Sequence, residues 1–131
     1  MSFSLLKFDN SKLLITSAGM PPIYYYNKDT QDVEEITIQG IPLGAMRKFT
    51  YKVIEKEVKS GDTLLLLTDG LPEQMNKSEE MFSYPRVKER FKEIVNNTPD
   101  DIIQNLVKSA EEWMGDVNQQ DDISFVVIKI K

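Results

Sequence analysis

The chain has 131 residues, 40% hydrophobic and 28% charged, the balance of one soluble globular domain with a core of its own. Its net charge is −5 with no basic cluster, which argues against nucleic acid and anionic membranes as partners. It contains no cysteine and no histidine, which excludes disulfides, zinc–thiolate sites, cysteine nucleophiles, serine–histidine triads and most transition-metal ligation.

Any chemistry therefore falls to carboxylates, hydroxyls, Lys and Arg, backbone groups or a hard metal ion. No apolar run approaches the ~20 residues of a membrane span. The start, Met1-Ser2-Phe3-Ser4, lacks the charged and apolar regions of a signal peptide, so the expected location is the cytoplasm.

The first half reads as strands. Phe3–Phe8 and Lys12–Thr16 flank the turn residues Asp9-Asn10-Ser11, which predicts a hairpin. Ala18-Gly19-Met20-Pro21-Pro22 breaks the pattern, Ile23–Tyr26 makes a third strand and Val33–Ile38 a fourth. The stretch Phe49-Thr50-Tyr51-Lys52-Val53 alternates apolar and polar, the mark of a strand with one wet face. Ser60-Gly61-Asp62 reads as a turn into the buried strand Thr63–Thr68.

After Asp69-Gly70 the period becomes helical. Val87, Phe91, Ile94 and Val95 line one side of Tyr84–Asn96. Thr98 is the expected N-cap of the next helix, with Pro99 at N1, Asp100 and Asp101 at the positive end of the dipole, and a capping box that has Asp in place of Glu. Apolar spacing then runs from Ile102 to Met114, and Gly115 is the stop. A polar loop, Asp116–Gln120, leads through Asp121-Asp122 to the last strand, Ser124–Ile130. Trp113 and the run Tyr24-Tyr25-Tyr26 read as core and sheet packing rather than ligand stacking. Strands, two helices (84–96 and 99–114), then a strand predict an α+β fold with helices on one face of a mainly antiparallel sheet.

Two acidic corners hold the chemical interest. Asp69 follows one buried strand, and Asp121-Asp122 precede another. If the strands are antiparallel neighbours, the corners meet. Bare carboxylates about 4 Å apart repel by ~1–4 kcal/mol, which a divalent cation converts into binding. Gly70 would let its carbonyl approach such an ion. Oxygen donors without imidazole or thiolate indicate Mg²⁺, Mn²⁺ or Ca²⁺. Spacing alone leaves a plainer reading open: Asp-Gly is a common turn, and acidic pairs before a strand are commonly solvated. The EF-hand, P-loop and G-x-S-x-G patterns are absent.

Four segments together resemble a known family. Gly61–Asn76, GDTLLLLTDGLPEQMN, is similar to the G-D-x-L-L-L-Y-T-D-G-L-x-E-x-x-N segment of metal-dependent (type 2C-like) protein Ser/Thr phosphatases, in the bacterial branch of the sporulation stage II E and sigma-factor-regulating enzymes. Asp121-Asp122-Ile123-Ser124 resembles that branch's D-D-[IM]-T signature, Ser17–Pro22 its A-G-H-P-P turn, and Gly40–Gly44 its G-x-P-L-G loop. Met20 stands where the family often has histidine, and Ser124 replaces threonine.

The resemblance implies a partial αββα-type sandwich and a phosphatase with a binuclear Mn²⁺/Mg²⁺ centre. Its metal ligands fall on Asp69 and Asp121, with Gly70 and Asp122 near the centre. Glu73 matches the acid after the D-G-L turn, with no role assigned. The implied reaction is hydrolysis of phosphoserine or phosphothreonine by a metal-activated water, with no protein nucleophile. The implied partner is a phosphorylated anti-sigma-factor antagonist. The family's opening Gly- and Asp-rich motif has no match here. The chain is thus expected to be the C-terminal portion of a domain, 1–131, binding metal weakly and inactive alone. An open sheet surface is then expected to support a homodimer. Two alternatives remain at this stage: a catalytically silent interaction module of a bacterial signalling protein, and a plain calcium-binding β-domain.

Overall fold

The computed structural model describes residues 1–131. In chain order its elements are β1 (Phe3–Asp9), β2 (Lys12–Ala18), β3 (Ile23–Asn27), β4 (Asp32–Ile36), β5 (Val53–Glu57), β6 (Thr63–Leu67), α1 (Tyr84–Ile94), α2 (Pro99–Met114) and β7 (Phe125–Lys129). They build two sheets, β1-β2-β5 and β4-β3-β6-β7, in which every pairing is antiparallel. Both helices pack on the four-stranded sheet, α1 against β4 and α2 against β7.

The unbroken apolar runs of β3 and β6 follow from this layering. A strand covered on both faces has no wet side to alternate toward. Tyr24, Tyr26, Leu65 and Leu67 face the helices, where they join Leu71, Phe82, Val87, Phe91, Ile102 and Leu106 in the larger core cluster. Ile23, Tyr25 and Leu64 face the other way and meet Leu13 and Ile15 of β2 between the sheets. The three-stranded sheet has only one buried face, and β1 accordingly alternates, with Leu6 half-buried between exposed Leu5 and Lys7.

Local chemistry sets the ends. The β1–β2 hairpin closes on Asn10 at φ 54°, a left-handed turn conformation that Asn tolerates. Thr98 caps α2: its Oγ1 accepts a hydrogen bond from the Asp101 N–H at 3.2 Å. The capping box differs from expectation. The Asp101 carboxylate accepts a bond from the Thr98 hydroxyl at 2.7 Å instead of reaching the Thr98 N–H, Asp being one methylene shorter than Glu. Gly115 ends the helix at φ 55°.

The strand expected at Phe49–Val53 lies further on. Only Val53 belongs to β5, which pairs with β2 from Thr16↔Val53 to Lys12↔Glu57. Phe49 and Tyr51 instead meet edge to face at 4.9 Å, and the Tyr51 hydroxyl donates to the Ile41 carbonyl, so these aromatics secure a loop. Other boundaries shift by one or two residues.

Candidate metal-binding corner at the ends of β6 and β7

The β6–β7 ladder runs from Thr63↔Lys129 to Leu67↔Phe125. The end of β6 therefore lies beside the start of β7, the arrangement that brings residues 69–70 up to residues 121–122. Beyond the ladder, Thr68 continues the join. Its N–H donates to the Ser124 carbonyl at 3.2 Å; its hydroxyl accepts from the Ser124 N–H at 3.0 Å and donates to the Asp122 carbonyl at 2.9 Å.

Gly70 comes next and is buried. A Cβ there would sit 2.4 Å from the Asp122 carbonyl oxygen and 3.1 Å from Ile123 Cγ1. Its need to be glycine is thus explained by the close approach of the 122–123 backbone, a cause the sequence reading had not considered. The chain then turns tightly, the Glu73 N–H donating to the Asp69 carbonyl at 3.0 Å, while Leu71 is fully buried in the core.

Asp69, Glu73, Asp121 and Asp122 are all exposed. None of them takes part in the molecule's eight salt bridges, which lie elsewhere on the surface. One oxygen of Asp121 accepts a hydrogen bond from the Asp122 N–H at 2.7 Å. The corner is consequently an open, negative surface with no cation of its own. Burial raises the pKa of Tyr84, and the charges of Glu73 and Asp69 raise it further, which puts a protonated phenol beside these acids.

The donor set is oxygen only, the chemistry of Mg²⁺, Mn²⁺ or Ca²⁺. Nowhere does the chain gather three or more His, Cys, Asp or Glu side chains at metal-binding geometry. The corner fits part of the shell of a hard cation, which takes about six oxygens, and leaves the rest to water or other polypeptide. A groove of about 390 Å³ runs between α2 and β7, lined by Ile103, Val107, Ile123 and Phe125.

Three nearby residues were not singled out from sequence: Thr68, Gln74 and Tyr84. Gln74 is completely buried. A single polar residue in a turn carries no periodic signal, and only its hydrogen bonds reveal its place. Asp62 likewise does more than form the expected turn. It is 1% exposed and accepts bonds from the Tyr25 hydroxyl and from the Lys28 and Lys59 N–H groups at 2.9 Å each.

The architecture is that of PP2C-type phosphatase domains. The SiaA PP2C domain of Pseudomonas aeruginosa superposes with a TM-score of 0.85 at 21% identity, over 99% of this chain and 52% of that one. The Mn-presoaked phosphatase domain of SpoIIE from Bacillus subtilis gives 0.74 at 20% identity, over 98% of this chain and 56% of that one. The chain belongs to the stage II sporulation protein E (SpoIIE) family, whose model matches residues 1–131. Among curated relatives, phosphoserine phosphatase RsbU of Bacillus subtilis is 21% identical over 131 residues, which are 38% of its length. Stage II sporulation protein E of the same organism is 22% identical over 99% of this chain and 15% of its own length. No helix is long and apolar enough to cross a membrane.

Proposed function

We propose that Asp69 and Asp121 bind Mn²⁺ or Mg²⁺ and that the domain they belong to hydrolyses phosphoserine or phosphothreonine on a cytoplasmic regulatory protein of the anti-sigma-factor-antagonist kind. The observation that carries this reading is the antiparallel β6–β7 pairing, with Gly70 against the Asp122 carbonyl, which sets two unpaired acidic corners side by side. The name of phosphoserine phosphatase RsbU and the phosphatase domain of SpoIIE supply the reaction class by analogy.

When bound, such ions supply a water acidic enough to attack a phosphate at neutral pH and offset charge on its oxygens. The chain's own part is to hold that charge in place. Asp69 and Asp121 bind through carboxylate oxygens, while Gly70 and Asp122 keep the two backbones in contact. Asp122 and Glu73 add to the negative field that concentrates cations there. The chain has no histidine or cysteine, so neither a thiolate nor a histidine-activated nucleophile is available to it, and a metal-activated water needs neither. Two or three carboxylates do not complete two octahedral shells. These residues alone therefore bind metal weakly and turn over little.

The test is Mn²⁺ titration of the chain, with free ion read by electron paramagnetic resonance. Asp69→Asn and Asp121→Asn are each expected to weaken binding by about tenfold or more. Unchanged affinity in both variants refutes the assignment.

A further inference from the structure

Two clamps flank the acidic corners, and only one of them belongs to the β-ladder. On the strand side, Thr68 is bound to Ser124 and Asp122, as described above. On the far side sits Gln74. Its Oε1 accepts from the Gln120 N–H at 3.1 Å, and its Nε2 donates to the Met75 carbonyl at 2.9 Å and to the Asn118 carbonyl at 3.4 Å. Gln120 answers in kind, its Oε1 accepting from the Met75 N–H at 3.4 Å. The Gln74 carbonyl in turn accepts from Trp113 Nε1 of α2 at 3.1 Å and from the Phe82 N–H at 2.9 Å.

Asp69 and Gly70 lie between Thr68 and Gln74; Asp121 and Asp122 lie between Gln120 and Ser124. The two acid-bearing segments form opposite sides of a loop of chain closed at both ends by hydrogen bonds. Like charges carried on its two sides push the loop open. The ladder resists at one end. At the other, the resisting group is a fully buried carboxamide with both of its polar atoms engaged, a group expensive to bury unless its directional bonds are made.

We propose that Gln74 is a positioning residue: it sets the spacing of the Asp69 and Asp121 corners, and thereby their affinity for a divalent cation, without touching the ion. The inference rests on the metal-site reading above. It also predicts a property of the metal-free chain that does not.

The experiment has two arms. In the first, hydrogen exchange is followed by NMR on the unaltered metal-free chain. The Gln120 amide, on an exposed loop residue whose partner is the Gln74 side chain, is expected to be protected about tenfold or more over its free rate. Free exchange of that amide overturns the proposal with no variant made. In the second, Gln74→Met, which keeps length and apolar fit but removes the bonds, is titrated with Mn²⁺ beside Asp69→Asn and Ile102→Val. Ile102, in the N-terminal half of α2, is fully buried in the core and takes no part in the Gln74 hydrogen bonds, so its variant loses stability alone. The expected result is about tenfold weaker Mn²⁺ binding in Gln74→Met and none of that loss in Ile102→Val. Wild-type affinity in Gln74→Met, with Asp69→Asn impaired, refutes positioning and leaves the metal site standing. Wild-type affinity in Asp69→Asn refutes the metal site, while the exchange result still decides whether Gln74 fastens the loop.

Discussion

A turn written Ser60-Gly61-Asp62 conceals a buried charge, and that charge ties one strand and two turns of the molecule together. Desolvation pushes the Asp62 carboxyl upward, but the hydrogen bonds from Tyr25, Lys28 and Lys59 outweigh it and leave the pKa below the ordinary 3.8. Those donors come from β3, the β3–β4 turn and the β5–β6 turn, so one carboxylate joins the four-stranded sheet to both of its neighbouring loops. Asp62→Asn keeps the shape but turns an NH₂ toward groups that are themselves donors. We expect a loss of about 2–4 kcal/mol in urea unfolding near neutral pH. The pH dependence has a definite sign. A carboxyl depressed by folding contributes stability that is complete above its ordinary pKa and disappears as pH falls through the lower folded value. The unaltered chain should thus lose stability on acidification below about pH 4, and Asp62→Asn should lack that part of the curve. Equal acid sensitivity in the two proteins would show that Asp62 is not its source.

Elements announce themselves in the sequence wherever one interaction dominates them, and β6 shows both the success and its limit. Leu64–Leu67 marks a strand buried on both faces, and its end at Asp69 marks the corner, because four leucines and an aspartate cannot share one environment. The Thr98 cap and the Gly115 stop were legible for the same reason: each depends on a few neighbouring residues. The position of β5 was not. The alternation in Phe49–Val53 fits a strand, yet its aromatics are drawn into a stack that closes a loop, a tertiary outcome invisible to local pattern. Nor could alternation tell one sheet from two, since it records burial but not the partner. The join just beyond the end of β6 depends on Thr68, whose hydroxyl stands in for a ladder bond. Thr68→Val, equal in size, leaves the Ser124 N–H and the Asp122 carbonyl without that partner. It should cost about 1 kcal/mol in chemical denaturation and also weaken Mn²⁺ binding. Stability lost with metal affinity unchanged would mean that the strand end and the acidic corner are uncoupled.

At the scale of the whole molecule the two sheets are unequal. The four-stranded sheet lies between helices and its partner sheet, while no helix or further sheet covers the outer face of the three-stranded sheet. Residues directly opposite in an antiparallel pair share a face. The pairs Leu5↔Thr16 and Thr16↔Val53 therefore place Leu5 and Val53 on that outer face, where they are 46% and 62% exposed, beside Phe3 at 41%. Lys12 and Glu55 close one end of the patch with a 2.6 Å salt bridge on the surface, and an exposed pair of this kind contributes little to holding a layer in place. An apolar patch at one end of a sheet face, flanked by two free strand edges, is a surface that takes on another layer. In the isolated chain the nearest available layer is a second copy. We therefore predict concentration-dependent self-association in sedimentation equilibrium. Because the patch is apolar, sulfate should strengthen the association, whereas ordinary salt would weaken one made by charges. The double variant Leu5→Lys with Val53→Lys sets like charges across the face at two exposed positions. It should leave the fold intact by circular dichroism and yield a monomer. If the unaltered chain sediments as a monomer at high concentration in sulfate, the outer face of β1-β2-β5 is not sticky enough to recruit a second layer.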